Sequence, residues 1–148
     1  MRWDKDKSIL LSKIFTAAIA VILLALCIAS PWSRLFSVQL TYKNLRVNWY
    51  TVSLIAFAPP AYTALWQLYR LLRNLSRGQV FVAANVRCLR AISWCCFASA
   101  AVFFFSGLYS TSWIVLFVAA VFGGLILRVV KNVFAAAVAL QDEQDLTI

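Results

Sequence analysis

Apolar residues fall along this chain in four long blocks separated by short, mostly basic stretches. The blocks cover residues 14–32, 49–69, 91–109 and 112–130. Each is close to the roughly 20 apolar residues an α-helix needs to cross a bilayer, about 17 at least. None carries a charge in its central part, as expected where a central Lys or Arg costs about 2.5–3.5 kcal/mol on insertion. The pattern predicts an all-α, integral membrane four-helix bundle forming one membrane domain over residues 1–148.

The polar stretches between the blocks have patterns of their own. In residues 33–48, Val38, Leu40 and Tyr42 alternate up to Lys43-Asn44, and Leu45, Val47 and Trp49 alternate after it. Alternation on both sides of a two-residue turn predicts a small β-hairpin in this first loop. In residues 70–90, Arg70, Arg73, Arg77, Arg87 and Arg90 stand at helical spacings on either side of Gly78. The second helix is expected to run on to about Ser76 with Gly78 as its stop, and a new helix to begin after Phe81. In residues 131–148 the fourth helix continues. Val129, Val130, Val133, Phe134, Ala137 and Val138 form one apolar stripe there, before an acidic turn at Asp142, Glu143 and Asp145.

Within the blocks, two features depart from plain apolar helix. Pro59-Pro60 removes two helix hydrogen bonds. It reads either as a hinge or, in preference, as a static kink, since proline is common in membrane helices; Ser53 and Thr63 are the nearby groups expected to serve the freed carbonyls. Gly123-Gly124, with Ala119 and Ala120, would let helix backbones approach closely, inside the bundle or between copies.

Composition agrees with a lipid solvent. Apolar residues make up 64% of the chain and mean hydropathy is +0.84, whereas soluble domains are about half apolar. Net charge is +9, but all five acids are terminal, and histidine is absent. No carboxylate side chain lies between Lys7 and Gln141. That removes the usual general acids and bases, the intramembrane acids of proton and ion pathways, and most ligands for zinc or calcium. Cys27, Cys88, Cys95 and Cys96 match no metal or haem spacing and read as small packing residues. No catalytic, metal or cofactor residues are expected, nor direct nucleic-acid binding.

Charge also predicts orientation. Eleven Lys and Arg flank the blocks on the side of the N-terminus, the middle loop and the C-terminus, against three on the other side. The positive-inside bias therefore places both termini and residues 70–90 in the cytoplasm. Trp32, Trp49, Tyr50, Tyr109 and Trp113 fall at the outer ends, Trp66, Tyr69 and Trp94 near the inner ends, as belts at headgroup depth would. The first block is expected to be retained. It is long for a signal peptide, and in Leu24-Ala25-Leu26-Cys27 a leucine stands where a lipoprotein cleavage box wants a small residue.

Gly78-Gln79-Val80-Phe81, followed by Asn85-Val86 and Leu89-Arg90, resembles the middle-loop motif of the Domain of Unknown Function 2975 family. The ending Glu143-Gln144-Asp145-Leu146-Thr147-Ile148 is similar to that family's C-terminal signature. The resemblance covers nearly the whole chain. It implies a small four-span bacterial membrane protein, often paired with a Cro-type helix-turn-helix regulator, and no particular activity. One departure is chemical: the family often has Thr and then acids after the Phe, where this chain has Val82, Ala83 and Ala84. A Thr there would cap the following helix and acids would suit its dipole.

These observations make Arg70, Arg73, Arg77, Gly78, Phe81, Asn85, Arg87 and Arg90, with Asp142, Glu143 and Asp145, the candidate interaction residues, and Pro59 and Pro60 the candidate hinge. The arginines read as a dock for a protein or anionic lipid, or, as the more general reading, as plain positive-inside anchors. The acidic tail is expected to dock on the arginine loop. The expected role is a regulatory or interaction module in a bacterial inner membrane, not an enzyme. Its partners would be the lipid bilayer and a cytoplasmic regulator protein or a second copy. The alternative is an oligomeric transport or pore protein for a neutral or apolar solute.

Overall fold

A computed structural model describes residues 2–29 and 49–147, and their regular structure is entirely helical. Helix α1 spans Arg2–Ala29, α2 Trp49–Ser76, α3 Ala83–Gly107 and α4 Ser112–Leu146. Helices α2 and α4 contain their expected blocks whole, α3 stops two residues short of its block at Gly107, α1 covers its block as far as Ala29, and all four extend beyond the blocks at the arginine-rich end. No strand occurs among the described residues, and the hairpin expected at 33–48 lies outside them.

Among the described residues three helices are long and apolar enough to cross a membrane: α1 over Lys7–Ala29, α3 and α4. Helix α2, the other expected span, is less apolar than these three. Its 28 residues suffice in length, but Pro59, Pro60, Tyr62, Thr63 and Gln67 dilute its apolar run.

The main packing is between helices consecutive in the chain, α1 on α2, α2 on α3 and, most extensively, α3 on α4. Helix α3 is the central member and has by far the most buried side chains, while α1 and α4 expose most of theirs. Asn85, Ile92, Ser99 and Ser106 recur every two turns along its buried face. The buried set is small and often polar: Thr16, Ser53, Asn85, Ser93, Ser99 and Ser106 beside Ala61, Cys88, Leu89, Ile92, Ala100 and Phe103. Large apolar side chains such as Ile14, Val115, Phe122 and Val129 point outward. Lipid tails are as apolar as leucine, so helices in a bilayer associate by close packing and hydrogen bonding and leave their large apolar groups to the lipid.

Helices α2 and α3 run antiparallel and touch along their whole length. Phe57 meets Phe103 with ring centroids 4.9 Å apart. Thr63 Oγ1 lies 3.1 Å from Cys95 Sγ. Near one end, the Ser53 hydroxyl is 2.7 Å from both the Tyr109 and Ser106 hydroxyls. Near the other, Asn74 meets Asn85. The end carrying Tyr109 is called the turn end, because α3 and α4 join there through 108–111. Tyr50, Tyr109, Trp113 and Phe103 cluster at it. The opposite, loop end carries the α2–α3 connection.

The proline pair leaves α2 a single helix. The carbonyls it deprives are those of Ile55 and Ala56, four residues back. The side chains expected to serve them are engaged elsewhere. Ser53 bonds within the turn-end cluster, and Thr63 Oγ1 donates back to the Pro59 and Pro60 carbonyls at 2.9 and 3.0 Å. Phe57 and Thr63, on either side of the prolines, both hold to α3.

Helix α1 is tied on by few contacts. Tyr62 donates to the Ala20 carbonyl at 3.2 Å, and Lys13 Nζ donates to Ser76 Oγ at 3.0 Å. The closest approach elsewhere is between α3 and α4. Ser93 Oγ donates to the Gly124 carbonyl at 2.9 Å. A Cβ on Gly124 would stand 3.1 Å from Phe97 Cε1 and 3.3 Å from Cys96 Cβ, whereas one on Gly123 would meet nothing within 4 Å.

Candidate functional site

The loop end gathers the candidate interaction residues, and its geometry starts with a helix stop. Helix α2 ends at Ser76. Gly78 takes φ +77°, a conformation that costs a side-chain-bearing residue about 1–2 kcal/mol. Its N–H donates to the Leu75 carbonyl at 3.0 Å, and the Gln79 N–H donates to that of Asn74 at 3.2 Å. These are the two bonds of a Schellman cap, with glycine at the left-handed position, so the expected stop is observed.

Four residues separate this cap from α3, which begins without a side-chain cap. Val82 occupies the N-cap position in extended conformation and makes no capping bond. The departure noted at this position therefore has a structural consequence. Asn85 holds the segment instead. Its side chain is fully buried. Its amide nitrogen donates to the Gln79 carbonyl at 2.8 Å and to the Val80 carbonyl at 2.7 Å, and its oxygen accepts from Asn74 Nδ2 at 2.9 Å. Two carbonyl acceptors use both amide protons and one donor meets the oxygen, so a flipped carboxamide would set its oxygen against two carbonyls.

Around this clamp Arg70, Arg73, Arg77, Arg87 and Arg90 are all exposed. Phe81 is half exposed and lies against Phe134 of α4, ring centroids 5.7 Å apart. The apolar stripe of α4 is narrower than expected: Val130, Phe134, Ala137 and Val138 are half-buried, while Val129 and Val133 are exposed. The acidic residues Asp142, Glu143 and Asp145 are exposed on the last turns of α4. Among the described residues no ion pair joins them to the arginines, so the expected electrostatic docking of the tail is not what the structure displays. The reason is helical continuity. At 35 residues α4 is about 52 Å long against a hydrocarbon core of about 30 Å, and it carries its acidic end past the loop as a rigid rod.

Matching against known families settles the chain's kinship. Residues 17–148 match the family described as "Protein of unknown function (DUF2975)". The chain belongs to this family. Neither a curated protein nor a solved structure matches it. Within a DUF2975 membrane protein, then, the Gly78–Asn85 motif has a physical content: glycine ends one helix and asparagine fastens the link to the next.

Sequence reasoning singled out Gly78 and Asn85 but missed Asn74, whose neighbours in the chain are unremarkable apolar and basic residues. It also missed a cleft of about 330 Å³ between α3 and α4, lined by Arg90, Ser93, Trp94, Arg128, Lys131 and Asn132. Arg128 and Lys131 figured only as flanking charges and Trp94 only as a belt residue. Their spacing on two helices far apart in the chain carries no local signal.

Proposed function

We propose that this DUF2975 protein is an interaction module of a bacterial inner membrane that presents residues 77–87 and the end of α4 to a cytoplasmic regulator protein. The observation that carries the reading is the Asn85 clamp. It spends a fully buried carboxamide on shaping a short connection that exposes Arg77, Arg87 and the outer side of Phe81, whose other side packs on Phe134. A connection that served only to reverse the chain would need no such fastening. The exposed arginines favour an acidic face on the partner, and the exposed acids of α4 a basic one.

In this reading α2 crosses the bilayer as the fourth span. Its contacts with α3 run from Ser53 to Asn74, so it accompanies α3 wherever α3 goes. Both termini and the loop end face the cytoplasm, supported by the excess of Lys and Arg at that end.

Site-specific photo-crosslinking in membranes tests the proposal. Probes at positions 77, 81 and 87 are expected to capture one discrete protein, and Asn85→Ala is expected to abolish capture while leaving the protein in the membrane. Capture that is unchanged by Asn85→Ala would overturn the role given to the clamp. Saturable flux of a neutral solute through liposomes containing the purified protein would favour transport instead.

A further inference from the structure

The cleft between α3 and α4 lies one turn beyond their tightest crossing. At that crossing Ser93 Oγ bonds to the Gly124 carbonyl, and the missing Cβ of Gly124 admits Phe97 and Cys96. One turn further toward the loop end, Arg90 on α3 and Arg128, Lys131 and Asn132 on α4 line the opening. Arg128 is not a loose surface arginine. Its guanidinium carbon sits 5.3 Å from the ring centroids of both Trp94 and Phe97, held by cation–π attraction. The acids of α4 at 142–145 lie three turns or more along the helix from Lys131, and among the described residues no ion pair engages the three cations.

Depth matters as much as charge. Arg90 is the last charge before the apolar run of α3, and Arg128 the first charge met along α4 from its start at Ser112. Both therefore stand where the apolar helices give way to basic helix. Trp94, well exposed at the same level, is the residue type that settles at headgroup depth. Immediately toward the turn end, α4 exposes Leu125 and Phe122, an apolar surface suited to acyl chains.

We infer that this cleft is a binding site for the phosphate headgroup of an anionic phospholipid. Arg90, Arg128 and Lys131 bind the phosphate, Asn132 supplies a neutral donor, and Trp94 with Phe97 holds the Arg128 guanidinium in place. Ser93 forms the floor and donates nothing to the ligand, since its proton is committed to Gly124. The inference is independent of the protein partner proposed above: it concerns a different face, and its failure would leave that proposal standing.

Native mass spectrometry of the purified full chain, titrated with phosphatidylglycerol or phosphatidylcholine, tests it. The protein is expected to retain phosphatidylglycerol in preference to phosphatidylcholine. Each of Arg90→Gln, Arg128→Gln and Lys131→Gln should weaken that retention about fivefold, the effect of one basic group at an anionic surface. Arg73→Gln and Arg87→Gln, outside the cleft, should leave it unchanged, and thermal unfolding of Arg90→Gln and Lys131→Gln should match the parent. Equal retention of the two lipids, or equal losses in cleft and non-cleft variants, would overturn the site. Displacement of phosphatidylglycerol by millimolar inorganic phosphate would overturn the lipid as its occupant.

Discussion

The side chain of Asn74, near the end of α2, donates to the side-chain oxygen of Asn85, in the first turn of α3, across 2.9 Å. That single bond joins the two helices at the point where the chain reverses. It also dictates the rest of the geometry, because with its oxygen occupied Asn85 must turn its amide protons to the Gln79 and Val80 carbonyls. The link between α2 and α3 is thus held from inside by one carboxamide.

Removing it should release the link. Asn85→Ala empties a fully buried position and removes three part-buried hydrogen bonds, to the carbonyls of exposed Gln79 and Val80 and from the Asn74 amide, each worth about 0.5–1.5 kcal/mol. Asn85→Asp should be at least as damaging, because it places a carboxylate against two carbonyl oxygens. Hydrogen exchange over residues 77–85 in detergent or nanodiscs should rise sharply in both variants and only modestly in Asn74→Ala.

The start of α3 should be improvable. Val82 stands at the N-cap without a capping bond, and Ser, Thr, Asp or Asn there typically adds about 1 kcal/mol. Val82→Thr is expected to raise the thermal unfolding temperature and slow exchange at residues 84–85. An unchanged or lower temperature would show that half-buried Val82 contributes more by packing than a cap would.

The two neighbouring glycines of α4 should respond oppositely to alanine. Gly124→Ala drives a methyl group to 3.1 Å from Phe97 and 3.3 Å from Cys96, overpacking that costs about 1–3 kcal/mol. Gly123→Ala meets open space and should be neutral or stabilising by up to about 1 kcal/mol through helix propensity. Thermal stability of the pair, measured side by side, checks the rotation of α4 against α3.

Gly78→Ala separates strain from space. Nothing lies within 4 Å of the added carbon, yet φ is +77°, so the expected loss of about 1–2 kcal/mol comes from backbone conformation alone. Gly78→Asn, which tolerates that conformation better, should recover part of it in the same unfolding measurement.

Neutralising the acidic end should leave the fold unchanged. Because Asp142, Glu143 and Asp145 are exposed and form no ion pair with the loop arginines among the described residues, the triple Asn/Gln variant should keep parental hydrogen exchange over 70–90. Increased exchange there would reinstate docking of the tail on the loop.

Sequence alone determined what depends on additive properties of short stretches. Block length and apolarity placed the helices, glycine's access to positive φ marked the stop of α2 at Gly78, and the distribution of Lys and Arg marked the basic end. The departure at Val82 was legible in the same way, since an N-cap is a local device. Tertiary structure alone decided which face of each helix meets which neighbour. It chose Gly124 over Gly123 for the close crossing and sent Thr63 to Cys95 instead of to the carbonyls freed by the prolines. It made α3 the helix with the most extensive contacts, and it brought Arg90 on one helix beside Arg128 and Lys131 on another. The physical reason is rotation about the helix axis. In lipid every apolar face is equally at home, so hydrophobicity does not orient a helix, and the choice falls to small residues, hydroxyls and carboxamides whose partners lie far away along the chain.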